Sequence, residues 1–100
     1  MLVRSDLSPG QQLAQTAHAV GEFAFRFRDA HTRWASGSNY LVVLAADEIA
    51  LLEHADAAPV AVLVREPDLG DIPTAVALIG DYSSHLSSLP LAGREVAMSG

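Results

Sequence analysis

The sequence contains no cysteine, which excludes disulfide bonds and thiolate metal sites and fits a reducing compartment. No uninterrupted apolar run approaches the roughly 20 residues that a membrane-spanning helix needs. Leu2-Val3-Arg4 has the pattern of a strand, so the chain enters its fold at once and we expect no signal peptide. These absences predict a soluble, cytoplasmic protein with no membrane partner.

Lysine is also absent, so the fixed positive charges are six arginines against twelve acidic residues, a formal net charge of −6. A protein that binds the phosphate backbone of a nucleic acid needs a local basic face, because most of its affinity for the nucleic acid comes from neutralising phosphates. Here the only arginine cluster that could form such a face is Arg26, Arg28 and Arg33. These three side chains are explained equally well as covering apolar surface near a helix end.

One hundred residues, half of them apolar, predict a single domain with one hydrophobic core. Strand-like and helix-like segments follow the order β-α-β-α-β-β-α, which predicts an α/β fold with helices on both faces of the sheet. The loop between the last two strands suits a hairpin better than a crossover helix, so we expect a four-stranded mixed sheet. We place the domain at residues 1–90 and a C-terminal tail at residues 91–100. The predicted strands are residues 2–4, 40–45, 60–64 and 74–79, and the predicted helices are residues 9–29, 48–55 and 82–89, with a helical turn at 31–34.

The segment that begins at Ser8 carries several signals for the start of a helix. Ser8 suits the N-cap, Pro9 suits the first helical position, and Gln11 completes a Ser-x-x-Gln capping box. The helix begins at the carboxyl end of a strand, where open α/β sheets bind their ligands, so we expect its polar face to contribute to a site. At about 100° per residue, the polar face is Gln11, Gln15, His18 and Glu22, and the predicted core stripe is Leu13, Ala17, Val20, Ala24 and Phe27.

From Gly10 to Ala19 the chain reads Gly-Gln-Gln-Leu-Ala-Gln-Thr-Ala-His-Ala. This run resembles the first motif of the type-2 peptidyl-tRNA hydrolases, which typically reads Gly-Lys-x-Ala-Ala-Gln-x-x-His-Ala. After the predicted third strand, Asp68-Leu69-Gly70 followed by Thr74 resembles the second motif of the same family. The two motifs stand in the family's order, and the resemblance extends over nearly the whole domain.

The resemblance implies an esterase that cleaves the bond between a peptide, or an N-blocked amino acid, and the terminal ribose of tRNA. It implies no metal ion and no organic cofactor, and it makes the acceptor end of tRNA the expected partner, with a homodimer left open. By motif position, His18, Asp68 and Thr74 are the implied catalytic residues. The implied substrate contacts are Gln11, Gln15, Gly70 and, as the basic cluster, Arg26, Arg28 and Arg33.

In physical terms, Asp68 could orient or deprotonate the attacking water, and His18 could act as an acid or a base. The other reading of His18 is a histidine that only donates a hydrogen bond to a backbone carbonyl. Gln15 and Thr74 could hydrogen-bond the substrate or an oxyanion. We therefore expect His18, Asp68 and Thr74 to converge with Asp6 around one pocket at the strand ends.

Two departures from the family pattern leave alternatives open. Gln11 stands at the position of the motif lysine, and a glutamine offers no positive charge to a phosphate or an oxyanion. The family spacing Asp-x-Gly-x-Thr is also lengthened, so either Thr74 or Ile72 occupies the threonine position. The alternative functions are a non-catalytic or repurposed relative that binds a small ligand or a protein, and a hydrolase of another small ester or amide. His54 and Asp56 lack a third ligand at a suitable spacing, so we expect no metal site.

Overall fold

Four short strands form one sheet in the computed structural model, which describes residues 1–79, 85–86 and 88–93. The strands are β1 (Leu2–Arg4), β2 (Leu44–Ala46), β3 (Ala61–Glu66) and β4 (Ile72–Leu78). The helices in the described part of the chain are α1 (Pro9–Arg26), α2 (Arg28–Ser36) and α3 (Glu48–Ala57), and a 3-10 turn over Pro67–Leu69 joins β3 to β4. Among these residues, no helix is long and apolar enough to cross a membrane.

The sheet is mixed, with the strand order β2-β1-β4-β3. β1 and β2 are parallel and are joined through α1 and α2, whereas β4 is antiparallel to both of its neighbours, β1 and β3. The prediction of a hairpin between the last two strands is confirmed, because β3 and β4 pair from Ala61–Leu78 at one end to Glu66–Ile72 at the other.

Side-chain alternation along the strands gives the sheet two apolar faces. On one face, Val3, Val64 and Ala75 pack with Ala19 and Phe23 of α1. On the other face, Leu2 and Val76 pack with Leu51 of α3. The prediction of an α/β domain with a four-stranded mixed sheet and helices on both faces is therefore confirmed.

The start of α1 is also as predicted. Ser8 is the N-cap, Pro9 follows it, and both hydrogen bonds of the capping box are present. The end of the helix differs, since α1 stops at Arg26 and Phe27 adopts a non-helical conformation before α2 begins. The helical turn predicted at residues 31–34 is the middle of this second helix.

The predicted core stripe of α1 is wrong at Leu13 and Ala17 and correct in part at Val20 and Phe27, which pack against the core. Leu13 is 73% exposed and Ala17 is exposed, while Val20, Ala24 and Phe27 lie half-buried at the margin. The residues that α1 buries are Gln12, Gln15, Ala19 and Phe23. The apolar periodicity misplaced the buried face because two glutamines occupy it, and each has hydrogen-bond partners there that only the tertiary structure supplies.

The second strand is shorter than predicted. β2 begins only at Leu44, and Tyr40, Leu41 and Val42 before it are exposed. The reason is the length of its neighbour, because β1 has three residues and so offers β2 three pairing positions. Residues 90–93, most of which we had assigned to a tail, lie beside this strand, with Leu91 bridged to Leu44 and the Ala92 N–H donating to the Val43 carbonyl at 2.9 Å. Half of the helix predicted over residues 82–89, namely residues 82–84 and 87, lies outside the described residues.

Since Phe23 is buried and Leu13 is exposed, truncating these two residues of α1 should change the free energy of unfolding by different amounts. Phe23→Ala removes a ring that is only 9% exposed and should lower the free energy of unfolding by about 3–5 kcal/mol. Leu13→Ala truncates an exposed side chain and should change it by less than about 0.5 kcal/mol. Urea denaturation of both variants measures the difference, and a Leu13→Ala cost equal to that of Phe23→Ala would contradict the observed rotation of the helix.

Candidate functional site

Thr74 faces α1 because β4 contains a bulge. Val64 of β3 pairs with Ala75, but the next residue, Arg65, pairs with Pro73, so Thr74 is the extra residue on β4. Strict alternation from Ala75 would turn the Thr74 side chain toward α3. The bulge changes the local backbone direction, so the side chain faces α1 instead. Its hydroxyl instead lies 2.7 Å from Gln15 Oε1 and 3.2 Å from the Val64 carbonyl oxygen, completely buried.

Gln15 is the buried amide that connects the sheet to the site. Its carbonyl oxygen accepts from the Thr74 hydroxyl, and its Nε2 donates to Glu66 Oε2 at 2.9 Å. The orientation of the amide is set by this network, since the carboxylate can only accept. Gln15 therefore holds the carboxylate of Glu66 and does not present its own polar atoms to solvent.

Glu66 is the centre of the site. It is the last residue of β3, and its other oxygen, Oε1, accepts from the Asp68 backbone N–H at 3.2 Å as the cap of the 3-10 turn. The hydrogen bond from Gln15 is the main cause that holds the pKa of Glu66 below its usual value, followed by the bond from the Asp68 N–H and by the charge of a protonated His18. Partial burial acts in the opposite direction and raises that pKa. Glu66 is therefore held as a carboxylate.

His18 lies one helical turn beyond Gln15 on α1. Its Nδ1 is 3.9 Å from Glu66 Oε2, and its side chain is 59% exposed. An imidazole that faces solvent on one side and a carboxylate on the other can take a proton from a water molecule and pass it on. At 3.9 Å the two groups are within ion-pair reach but beyond a hydrogen bond, as is common for catalytic pairs in the absence of substrate.

The structure brings His18, Asp68 and Thr74 together around Glu66. Asp68 lies exposed in the 3-10 turn, and Thr74 is buried behind Gln15, so its hydroxyl positions another residue and does not reach the surface. Gly70 ends the turn in the left-handed conformation, with φ of +78°, which favours glycine. Asp6 is elsewhere: it pairs with Arg4 at 2.7 Å and lines a separate pocket of about 380 Å³.

Sequence reasoning missed Glu66, although a signal was present. Val62 and Val64 are buried against α1, and alternation continues to Glu66 on the same face. We had ended the strand at Val64 and assigned the next residues to a loop, which removed Glu66 from that face. A strand read two residues further would have placed a carboxylate opposite the polar face of α1.

Gln11 and Arg26 make their described side-chain contacts with partners other than Glu66. The Gln11 side-chain oxygen accepts from the Ser8 backbone N–H at 3.1 Å, in the capping box. Arg26 pairs with Glu22 at 3.3 Å and lies two turns beyond His18, roughly 12 Å along the helix axis. Arg33 lines an apolar cavity of about 800 Å³ at the opposite end of the sheet, with Met1, Trp34 and Ile79. The predicted basic cluster is thus not next to His18.

The described residues contain no group of three or more histidine and acidic side chains that could hold a metal ion. Among the described residues, the groups in contact with the Glu66 carboxylate are the Gln15 amide, the Asp68 backbone N–H and His18, and none of them carries a fixed positive charge.

Comparisons of the chain with protein-family models, with curated proteins and with solved structures find no match. The resemblance to the type-2 peptidyl-tRNA hydrolases thus stands on the two sequence motifs.

The lowered pKa of Glu66 predicts a pH-dependent contribution to stability. A group whose pKa is lower in the folded chain than its ordinary 4.5 stabilises the fold above that pH, and the contribution is lost as the pH falls through the folded-state value. The difference in free energy of unfolding between wild type and Glu66→Gln should therefore be constant above about pH 5.5 and should shrink below pH 4.5. Urea titrations at a series of pH values measure it. Asp68→Asn keeps the backbone donor and serves as the control, and an equal pH dependence in that variant would assign the effect to the wrong carboxylate.

Proposed function

We propose that this protein is an esterase of the type-2 peptidyl-tRNA hydrolase kind, which cleaves the ester between a peptide, or an N-blocked amino acid, and tRNA. The single observation that carries the proposal is the pair of His18 and Glu66, with Nδ1 and Oε2 3.9 Å apart at the end of β3. Both members of the pair lie within or beside the two motifs that resemble this family. A domain with a mixed four-stranded sheet and helices on both faces is compatible with that assignment.

In the proposed reaction, His18 removes a proton from a water molecule that attacks the ester carbonyl carbon. Glu66 orients the imidazole and stabilises the imidazolium that forms. The same proton then goes to the ribose oxygen as the carbon–oxygen bond breaks, so a free carboxylic acid and a free tRNA hydroxyl result. In this proposal Asp68, which is exposed in the turn that Glu66 caps, holds the attacking water.

The developing oxyanion has to be stabilised by neutral donors in this proposal. The side-chain oxygen of Gln11 is already bonded to Ser8, so its NH₂ is the group that it can offer. A neutral donor is roughly half as strong as a charged one. This difference predicts an enzyme that is slow on tRNA esters.

A second candidate, a relative that acts on another small ester or binds a small ligand, is favoured by the charge around His18. Glu66 faces the imidazole, Glu22 follows one turn along the helix, and Asp68 lies beyond Glu66. Arg4, on the strand next to β4, is already paired with two carboxylates, Asp6 and Glu48. Acidic surroundings oppose the approach of a polyphosphate chain and do not oppose a small neutral ester.

Incubation with an N-blocked aminoacyl-tRNA, with release of free tRNA followed over time, tests the proposal. Wild type should hydrolyse the ester, and His18→Ala and Glu66→Gln should each lower kcat/KM by roughly a hundredfold or more, the usual share of a general base. Glu22→Gln is the matched control, because it removes an exposed carboxylate one turn from His18 that pairs only with Arg26 among the contacts described. Its rate should equal that of wild type.

Two outcomes separate the candidates. Hydrolysis of a small N-acyl amino acid ester together with no activity on the tRNA ester would favour the second candidate. Unchanged rates in both His18→Ala and Glu66→Gln would remove the pair from the mechanism.

Restoring the motif lysine tests the role of charge. Gln11→Lys should raise hydrolysis of the tRNA ester by about tenfold to a hundredfold, if a charge-assisted bond restores about 1.5–3 kcal/mol. The variant should lose about 0.3–1 kcal/mol of stability, because the capping box is broken and a positive charge is placed at the positive end of α1. Gln11→Met breaks the same capping bond without adding charge, so a gain in Gln11→Met as large as that in Gln11→Lys would contradict the explanation.

A further inference from the structure

The buried hydroxyl of Thr74 has one hydrogen and two acceptors within reach. Gln15 Oε1 lies 2.7 Å away and the Val64 carbonyl oxygen lies 3.2 Å away. A hydroxyl donates to one acceptor at a time and can accept from a donor at its lone pairs. Since Thr74 is fully buried, solvent does not compete for this hydrogen. The hydroxyl can therefore point in either of two directions without leaving itself unpaired.

When Glu66 is a carboxylate, only one arrangement pairs every group. The carboxylate accepts, so Gln15 turns its NH₂ toward Glu66 Oε2 and its carbonyl oxygen toward Thr74. Thr74 then donates to Gln15. This is the arrangement that the structure records.

When Glu66 takes a proton, the new O–H has no acceptor among the hydrogen-bond partners of that arrangement. Both carboxylate oxygens face N–H donors, Oε2 facing Gln15 Nε2 at 2.9 Å and Oε1 facing the Asp68 N–H at 3.2 Å. A flip of the Gln15 amide resolves the conflict at Oε2. The acid O–H then donates to Gln15 Oε1, Gln15 Nε2 donates to Thr74 Oγ1, and the Thr74 O–H turns to the Val64 carbonyl.

We propose that Gln15 and Thr74 form a two-position hydrogen-bond relay that follows a proton on Glu66, so that Glu66 can accept and return a proton without leaving a buried polar atom unpaired. The two residues are positioning residues, because neither contacts the surface where a substrate would lie. The proposal does not rest on the proposed function, in which Glu66 stays a carboxylate and His18 holds the proton. The relay itself is a property of the free protein.

The groups that face Glu66 are few. His18 is the titratable side chain that approaches it from α1, and Asp68 approaches through its backbone N–H from the 3-10 turn. On β4, Ile72 pairs with Glu66 and carries no charge. Titration of Glu66 in a His18→Gln background therefore separates its proton from that of His18, the ionisable side chain that contacts it among the described residues.

Nuclear magnetic resonance of the isotopically labelled full chain tests the relay. The carboxyl carbon of Glu66 reports its ionisation, and the side-chain NH₂ of Gln15 reports the direction of the amide. Above the Glu66 transition, the NH₂ protons should lie close to the side-chain protons of Glu66, and below it, close to the Thr74 methyl group. The two transitions should share one midpoint, which lies below pH 4.5.

The chain supplies an internal control for this measurement. Gln12 is the other buried amide of α1, but its Nε2 donates to the Arg4 carbonyl at 3.1 Å and its oxygen accepts from the Gly93 N–H at 2.8 Å. Both partners are backbone groups of fixed polarity, so the Gln12 amide should keep its direction at every pH. A similar change at both glutamines would indicate general loss of structure and would overturn the proposal.

Variants at Thr74 complete the test. Thr74→Ser keeps the hydroxyl and should keep the switching of Gln15, whereas Thr74→Val should uncouple Gln15 from the Glu66 transition. If wild type hydrolyses the tRNA ester, Thr74→Val should lower kcat by roughly tenfold, the loss expected for one hydrogen bond, with KM unchanged and with Thr74→Ser close to wild type.

An NH₂ group that stays next to Glu66 across the whole transition overturns the relay and leaves the proposed esterase untouched. Switching of Gln15 in a protein without esterase activity would leave the relay in place and remove the proposed function.

Discussion

Buried polar atoms must find partners, and the seating of α1 on the sheet depends on this constraint. Among the described residues, no buried side-chain nitrogen or oxygen lacks a hydrogen-bond partner. Two of the residues that α1 buries are glutamines, and leaving either amide unpaired would cost about 1–3 kcal/mol for each orphaned group. Apolar contacts are non-directional and tolerate small rotations of a helix. The hydrogen bonds of the two amides are directional, so a rotation of α1 would break them. The amides of Gln12 and Gln15 thus fix the rotation and register of α1, with Ala19 and Phe23 filling the remaining interface.

The same bonds connect the packing of the fold to the candidate site. Gln15 is held from behind by Thr74 and holds Glu66 in front, so a residue that fixes the helix also sets the position and charge of the carboxylate. Glu66 in turn caps the turn that carries Asp68. His18 and Asp68 are the exposed members of this set. A substitution of Thr74 would therefore affect the Glu66 carboxylate through two hydrogen bonds, Thr74 to Gln15 and Gln15 to Glu66.

The Glu66 carboxylate and the cavity-lining Arg33 lie at opposite ends of the sheet, whereas Arg4 and Arg65 lie at the same end as Glu66 and have partners of their own there. Glu66 and Asp68 surround the imidazole at one end, while Arg33 lies at the other end beside the apolar cavity. Since exposed charges more than about 10 Å apart are largely screened at ordinary salt, Arg26 and Arg33 do little to offset the acidic surroundings of His18. This distribution of charge, together with glutamine in place of the motif lysine, is the main physical argument against the proposed tRNA substrate and for a smaller one.

Much of the architecture could be derived from local signals in the sequence. The capping box at Ser8, the hairpin after β3 and the order of the elements from β1 to β4, apart from the division of the first helix into α1 and α2, depend on residues close to one another along the chain, so they were predicted correctly. The end of α1 at Phe27 and the short β2 were not, because the first depends on how α2 docks and the second on the three residues of β1. The candidate site shows the same division. His18, Asp68 and Thr74 could be named from motifs, whereas Glu66 was missed because its strand runs two residues further than its apolar run.

The sequence by itself determined the class of fold, the helix that begins the candidate site and the absence of cysteine and lysine from its chemistry. The tertiary structure alone decided which face of α1 is buried and which carboxylate faces His18. The physical reason is that a glutamine is polar in any sequence pattern and becomes a core residue only where distant chain segments meet its amide. For Gln15 that segment is a bulged strand 59 residues away, and no local periodicity reports the bulge.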